Sequence, residues 1–270
     1  MRSMNILQRV GASIFAAGLI VLAGTVTVAQ ADPTLELLFE DVYPIGANIT
    51  STTNTGTAGG NATGSAYGNG SLTATVGANL GAGALFTDAN NPGGVSAHGG
   101  RIDAPVTGTT DFTITMMVRR DGDQVQYDRL LELTDSGSAI SGLAVTFTAS
   151  DTITVNLGGR LHPIALANGV WSHLAIVYDH DGGTSGKAMG KVYTNGVYFS
   201  TSLDAATVQN DFTVVDGLVF GVQASTGNRP FNGAMDSIKY FSSPLDDAGV
   251  LATYEEAIKL PPSGTMIVIK

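Results

Sequence analysis

The chain has 270 residues, with 13 Lys+Arg against 23 Asp+Glu, a formal net charge of −10 and no cysteine. That acidity argues against nucleic acid and anionic membranes as partners. The missing thiols exclude disulfides, a lipid-acylated cysteine and a cysteine nucleophile. The plainest reading of the charge is solubility outside the cell, and it leaves carboxylates free for a cation such as calcium.

Residues 1–31 read as a signal peptide. Arg2 and Arg9 supply the positive region, Val10 to Ala23 the apolar region, and Ala29-Gln30-Ala31 the small-residue cleavage site. The apolar run is short beside the roughly 20 residues of a membrane span, so an uncleaved anchor is the weaker alternative. Without Arg2 and Arg9 the net charge falls to −12. Residues 32–258 then form one domain, with 259–270 as a C-terminal tail. The expected location is secreted or on the cell surface, with the periplasm as the other compartment.

Thr34–Phe39 predicts a first strand. From Ile45 to Gly100 the chain is rich in Gly, Ala, Thr, Ser and Asn, which predicts loops with short strands at Leu72–Val76 and Ala84–Phe86. Asn48, Asn61 and Asn69 each open an Asn-x-Ser/Thr sequon, which such a composition produces by chance. In Asp111–Arg120, Phe112, Ile114, Met116 and Val118 alternate with Thr113, Thr115, Met117 and Arg119, the period of a half-buried strand. Leu130–Leu133, Leu143–Phe147, Ile153–Leu157, Gly217–Val222 and Met235–Phe241 repeat the signal.

Between them, Trp171, the only tryptophan, precedes the apolar run Leu174–Tyr178. Asn195-Gly196 then marks a type I′ hairpin turn, where both central residues need φ > 0. Ser243-Pro244-Leu245-Asp246 predicts a helix start with Ser243 as cap and Pro244 at the first position. That helix continues to about Ile258 and ends before Pro261-Pro262. The tail stretch Thr265–Lys270 reads as a last strand or an anchor stub. The fold class is all-β, a two-sheet antiparallel jelly-roll sandwich with one short C-terminal helix.

Taken in order, DFTITMMVRR, GVWSHLAIVYD, GKVYTNGVYF, GLVFGVQAS and FNGAMDSIKYFSSPLDDAGVLATYE resemble the laminin G-like, concanavalin A-like jelly-roll domains of secreted bacterial proteins. The resemblance covers about Leu35 to Ile258. It implies two sheets, one concave, with loops at the rim, and a role in binding glycans, proteins or calcium.

It also implies a structural calcium held by a carboxylate on the late strand and an acid near the N-terminus. Here those are Asp236 with Glu36, Glu40 or Asp41 and a carbonyl at the Gly99-Gly100 turn, Gly100 included. These alone do not complete the six to eight oxygens calcium takes. The competing reading is that Asp236 accepts backbone N–H groups at a bulge after Gly233. The Asp179–Gly183 and Asp121–Asp123 stretches are calcium-like in composition but read as turns. Trp171 and His173 occupy positions the family uses for packing more than for binding, and His98 and His162 have no clustered partners.

Catalytic signatures are missing. The five glutamates, Glu36, Glu40, Glu132, Glu255 and Glu256, do not form the Glu-x-Asp-x-Glu strand of laminarinase-type relatives. The chain also carries no polysaccharide-lyase strand motif, no nucleophile elbow, no H-E-x-x-H and no phosphate loop. The expected function is therefore a non-catalytic carbohydrate-binding module. A surface protein that binds another protein, and a polysaccharide-cleaving enzyme with an unfamiliar site, are the alternatives.

Overall fold

Period-two alternation closes into two stacked sheets, each turning one face to a shared core. In the computed structural model residues 31–259 are described, except 43, 59, 67, 69, 80, 88–98, 150, 158–159, 184–185 and 203–211. Residues 1–30 of the signal segment, Asn69, His98 and the tail from 260 lie outside the described residues.

Among the described residues the first half of the chain holds β1 (Leu35–Leu37), β2 (Ser51–Thr52), β3 (Ala62–Ala66), β4 (Ser71–Val76), β5 (Ala82–Thr87), β6 (Gly100–Pro105), β7 (Phe112–Arg120) and β8 (Arg129–Asp135). Then follow β9 (Ser138–Ala149), β10 (Thr152–Leu157), β11 (Arg160–Ala165), β12 (Trp171–Asp179), β13 (Met189–Thr194), β14 (Val197–Ser202), β15 (Gly217–Phe220), β16 (Gly233–Phe241) and α1 (Asp247–Ala257). The first eight-stranded sheet has the order β14-β13-β12-β7-β16-β5-β4, with β1 also on β16. The second has the order β11-β10-β9-β8-β15-β6-β3-β2. The strand pairings are antiparallel throughout. Among the described residues no helix is long and apolar enough to cross a membrane.

Between the sheets the core is apolar and aromatic. Phe112 stacks on Tyr178 at 5.5 Å and on Tyr240 at 6.0 Å, and meets Phe212 edge-on at 5.0 Å. These offset and edge arrangements suit the ring quadrupoles and add to the hydrophobic burial. Asn195 and Gly196 take φ of 51° and 73°, so the predicted hairpin turn joins β13 to β14.

Four features depart from the sequence reading. First, β7 is buried on both faces, with Thr113, Thr115 and Met117 at most 2 % exposed. A second apolar cluster of Ala175, Val177, Tyr193, Phe241, Leu245 and Val250 places α1 and its lead-in over the first sheet's outer face. Second, the helix cap is Asp246, whose Oδ1 accepts the Gly249 N–H at 2.7 Å. Ser243 instead lies in a lead-in pinned to β7. The Thr113 hydroxyl donates to the Ser243 carbonyl and accepts from Leu245 N. Third, β3 is a strand of small residues, and a side chain on Gly64 would strike the Ile49 carbonyl and Leu72. Its composition reports close approach of backbones, not a loop. Fourth, a bulge between Asp236 and Lys239, with Ser237 at φ 48°, resets the alternation of β16. Met235, Ile238 and Tyr240 belong to the core between the sheets, so the even positions do not share one face.

The bulge leaves Lys239 buried, 3 % exposed, on the face that α1 covers. Its ammonium pairs with Glu36 of β1 at 2.9 Å and Glu256 of α1 at 2.7 Å. One buried cation thus ties the first strand and the only described helix to the central strand.

Candidate functional site

Asp236, the leading sequence candidate, is 1 % exposed. Its Oδ2 accepts the Ala78 N–H at 2.8 Å and its Oδ1 the Ser237 N–H at 2.6 Å. Burial pushes its carboxyl up to about 7, against those two N–H groups, and the charge of nearby Glu40 adds to the rise. The turn at Gly77–Gly81 wraps both acids. A side chain on Gly77 would strike Asp236 Oδ2, and one on Gly81 would strike Glu40 Oε1.

The other three expected ligands lie apart from this pair. Burial pushes Glu36 up, but the Thr55 hydroxyl and the Lys239 ammonium outweigh it and hold the carboxyl below its usual range. Asp41 is likewise lowered despite burial, because the Thr53 hydroxyl and N–H and the Thr52 hydroxyl all donate to it. Gly100 pairs with Ala66 in the second sheet. Among the described residues no group of three or more His, Asp or Glu side chains is placed to hold a metal. In the calcium-like stretches the carboxylates are engaged locally: Asp179 Oδ1 accepts the Asp181 N–H at 3.2 Å, and Asp121 accepts from Nε and Nη2 of Arg119.

Trp171 stands on the outer face of the first sheet with His173, while Leu174, Ile176 and Tyr178 of the same strand enter the core. The Arg119 guanidinium covers the indole at 5.1 Å, so that ring face is occupied. His173 is sealed beneath α1, its Nε2 3.3 Å from the Thr253 hydroxyl and its ring 5.6 Å from that of Tyr254. Burial and the Lys239 charge push it down to about 4. His162 contacts the Ser200 hydroxyl between β11 and β14, and burial lowers it too.

Among the described residues, an opening with ligand-like chemistry lies on the other sheet. A groove of about 320 Å³ is lined by Asn61, Thr63, Asp103, Pro105, Thr134, Asp216, Gly217 and Val219, with the backbone at Ala104 and Leu218. In β6 Ile102 and Ala104 point into the core, so Arg101, Asp103 and Pro105 face outward; in β15 Leu218 and Phe220 point in, so Gly217 and Val219 face outward. Gly217 pairs with Pro105 on one side and Thr134 on the other, and Val219 with Asp103 and Glu132. A Cβ at Gly217 would lie 2.7 Å from the Thr134 hydroxyl, so its missing side chain opens the floor.

Asp103 is held by Arg101, whose Nε donates to its Oδ1 at 2.9 Å and Oδ2 at 2.7 Å. Asp216 is oriented by the Ser136 N–H at 2.8 Å. The other part of this face is roofed by the turn at Ala224, whose N–H donates to Glu132 and whose carbonyl accepts from Arg101 Nη1. Of these groove residues the sequence singled out Asn61, as a sequon, and Gly217, as the start of a strand, but none as a ligand contact. The alternation Arg101-Ile102-Asp103 is the local signal that could have found β6, but nothing local says which strands lie beside it.

The family profile of the concanavalin A-like lectin/glucanase superfamily (Laminin_G_3) matches residues 97–250. No curated protein matches the chain in sequence. Among solved structures, domain 4 of AbnA, an extracellular GH43 arabinanase from Geobacillus stearothermophilus in complex with arabinotriose, is similar at 14 % identity and a TM-score of 0.53. That match covers 83 % of this chain and 99 % of the domain. A structure of botulinum neurotoxin type C, described by its dependence on two ganglioside molecules for cell entry, is similar at 13 % identity and a TM-score of 0.51, over 81 % of this chain and 52 % of that one. The binding domain of botulinum neurotoxin DC in complex with rat synaptotagmin II gives 14 %, 0.52, 81 % and 52 % for the same measures. The chain thus spans about half of each neurotoxin chain. Identities this low carry the fold alone.

Proposed function

The chain belongs to the concanavalin A-like lectin/glucanase superfamily, and from that premise we propose that it is a secreted, non-catalytic module that binds carbohydrate in the groove on the second sheet. The observation that carries this is the convergence of Asn61, Thr63, Asp103, Thr134 and Asp216 around the bare floor at Gly217. Amide, hydroxyl and carboxylate groups held on strands and, for Asn61 and Asp216, immediately before them match the paired donors and acceptors of a sugar ring. The arabinotriose complex of a similar domain supports the reading. A glycan array with and without calcium tests it: retention of at least one glycan is expected, without release of reducing sugar. Retention of none would overturn it, and reducing-sugar release would turn the module into an enzyme.

A protein ligand is the second reading. Val197, Tyr198 and Phe199 stand exposed on β14, the edge strand of the first sheet, and a similar domain has been seen with synaptotagmin II. Cross-linking to a surface protein that free sugars do not displace would favour it.

Calcium enters the proposal as structural support. Of the five expected ligands only Glu40 and Asp236 share a turn, beside the Asn79 amide oxygen, which approaches Gly81. Two neighbouring carboxylates are what a divalent cation relieves, although further oxygens are needed. Added calcium should raise the melting temperature and EDTA reverse it. The gain should grow above pH 7, where Asp236 gives up its proton. No shift under either condition would remove calcium from the account.

A further inference from the structure

The lining of the groove limits which carbohydrate it accepts. A sugar with a carboxylate or sulfate must bring that charge against a cationic partner, since an unpaired charge brought out of water is costly. No lysine, arginine, histidine or aromatic residue lines the groove among the described residues. The nearest guanidinium, Arg101, is engaged by Asp103 and by the Ala224 carbonyl. Two carboxylates, Asp103 and Asp216, form the polar walls, and among the described residues only Asp103 of the two is ion-paired, with Arg101. Apolar contact comes chiefly from Pro105, since Val219 is packed with Val222 and Ala224, so affinity depends on hydrogen bonds to hydroxyls and not on stacking. At about 320 Å³ the groove lies at the small end of ligand pockets, roughly 300–1,000 Å³, and is suited to a short stretch of polymer.

We propose that this groove selects neutral glycans, with Asp216 as the residue that rejects acidic ones. The proposal rests on the carbohydrate-binding reading and adds the ligand class and the residue that sets it. Rejection by like charge is specificity gained through a repulsive element.

The test measures binding of the full chain to neutral arabinan, xylan, galactan, mannan and β-glucan, and to polygalacturonate, alginate and hyaluronate, at one ionic strength. At least one neutral polymer should bind, at least tenfold more tightly than any acidic one. Asp216→Asn should bring the two classes closer by raising affinity for acidic polymers. Gly217→Leu should abolish binding of the neutral ligand with the fold retained by circular dichroism. Asn61→Ala, at an exposed side chain, should weaken it several-fold and serves should Gly217→Leu fail to fold.

Acidic polymers binding as well as neutral ones would overturn the selectivity and leave carbohydrate binding standing. Failure of every polymer to bind would overturn both. Unchanged neutral binding in a folded Gly217→Leu or in Asn61→Ala would move the site elsewhere and overturn the assignment.

Discussion

The two sheets differ most on their outer faces. On the first, α1 and its lead-in cover the strands, and the polar groups beneath them are paired or sealed: Lys239 between Glu36 and Glu256, and His173 under Thr253 and Tyr254. On the second, the turn at Ala224 roofs part of the face and leaves a groove whose amide, hydroxyl and carboxylate groups are open to a ligand. A buried charge with partners holds the structure together, whereas a half-exposed one with a fixed orientation is available to recognise something. On the proposed function the first face serves as scaffold and the second carries the binding, although the only tryptophan sits on the first.

The largest effect should come from breaking the scaffold. Lys239→Ala leaves Glu36 facing a buried gap and releases Glu256, and should cost about 3 kcal/mol in denaturant unfolding. If the division holds, glycan affinity of the folded fraction stays unchanged.

Next comes the pH dependence of stability, where two buried groups oppose each other. His173 is depressed to about 4, so its contribution is present above its unfolded value near 6.5 and is lost as pH falls toward 4. Asp236 is raised to about 7, so its contribution is present below its unfolded value near 3.8 and is lost as pH rises toward 7. Each is worth on the order of 3 kcal/mol across its window, and between pH 4 and 6.5 they offset. Wild-type stability should be nearly flat there. His173→Gln should make stability fall with rising pH, and Asp236→Asn should make it rise, both read from urea midpoints.

A smaller effect is expected at the hairpin. Gly196 at φ 73° packs against Leu251 and Tyr254, and Gly196→Ala should cost about 1–2 kcal/mol through the left-handed conformation and the crowded helix contact. The smallest belongs to the second face: Thr63→Val should leave the melting temperature within about 1 °C, since Thr63 is exposed, while weakening glycan retention measurably.

The fold was legible because alternation along Phe112–Val118, the Asn195-Gly196 turn and the repeated short strands are local signals. The helix cap moved from Ser243 to Asp246 because Thr113, 130 residues away, claims the lead-in through its hydroxyl. The bulge at Asp236 was open to sequence only as one of two readings. Its two N–H donors come from Ser237 beside it and Ala78 on a distant turn. The groove was not legible at all. Asn61, Asp103, Thr134 and Asp216 become neighbours only through the strand order β8-β15-β6-β3, and alternation says which side a residue faces but not what lies beside it.

Chemical-shift mapping on the labelled protein, with the best-retained oligosaccharide titrated in, tests the central division directly. The account predicts perturbations at Thr63, Asp103, Thr134 and Asp216–Val219, with Trp171, His173 and Asn195-Gly196 unmoved. Shifts that cluster at Trp171 and the first sheet, with the second sheet silent, would contradict it.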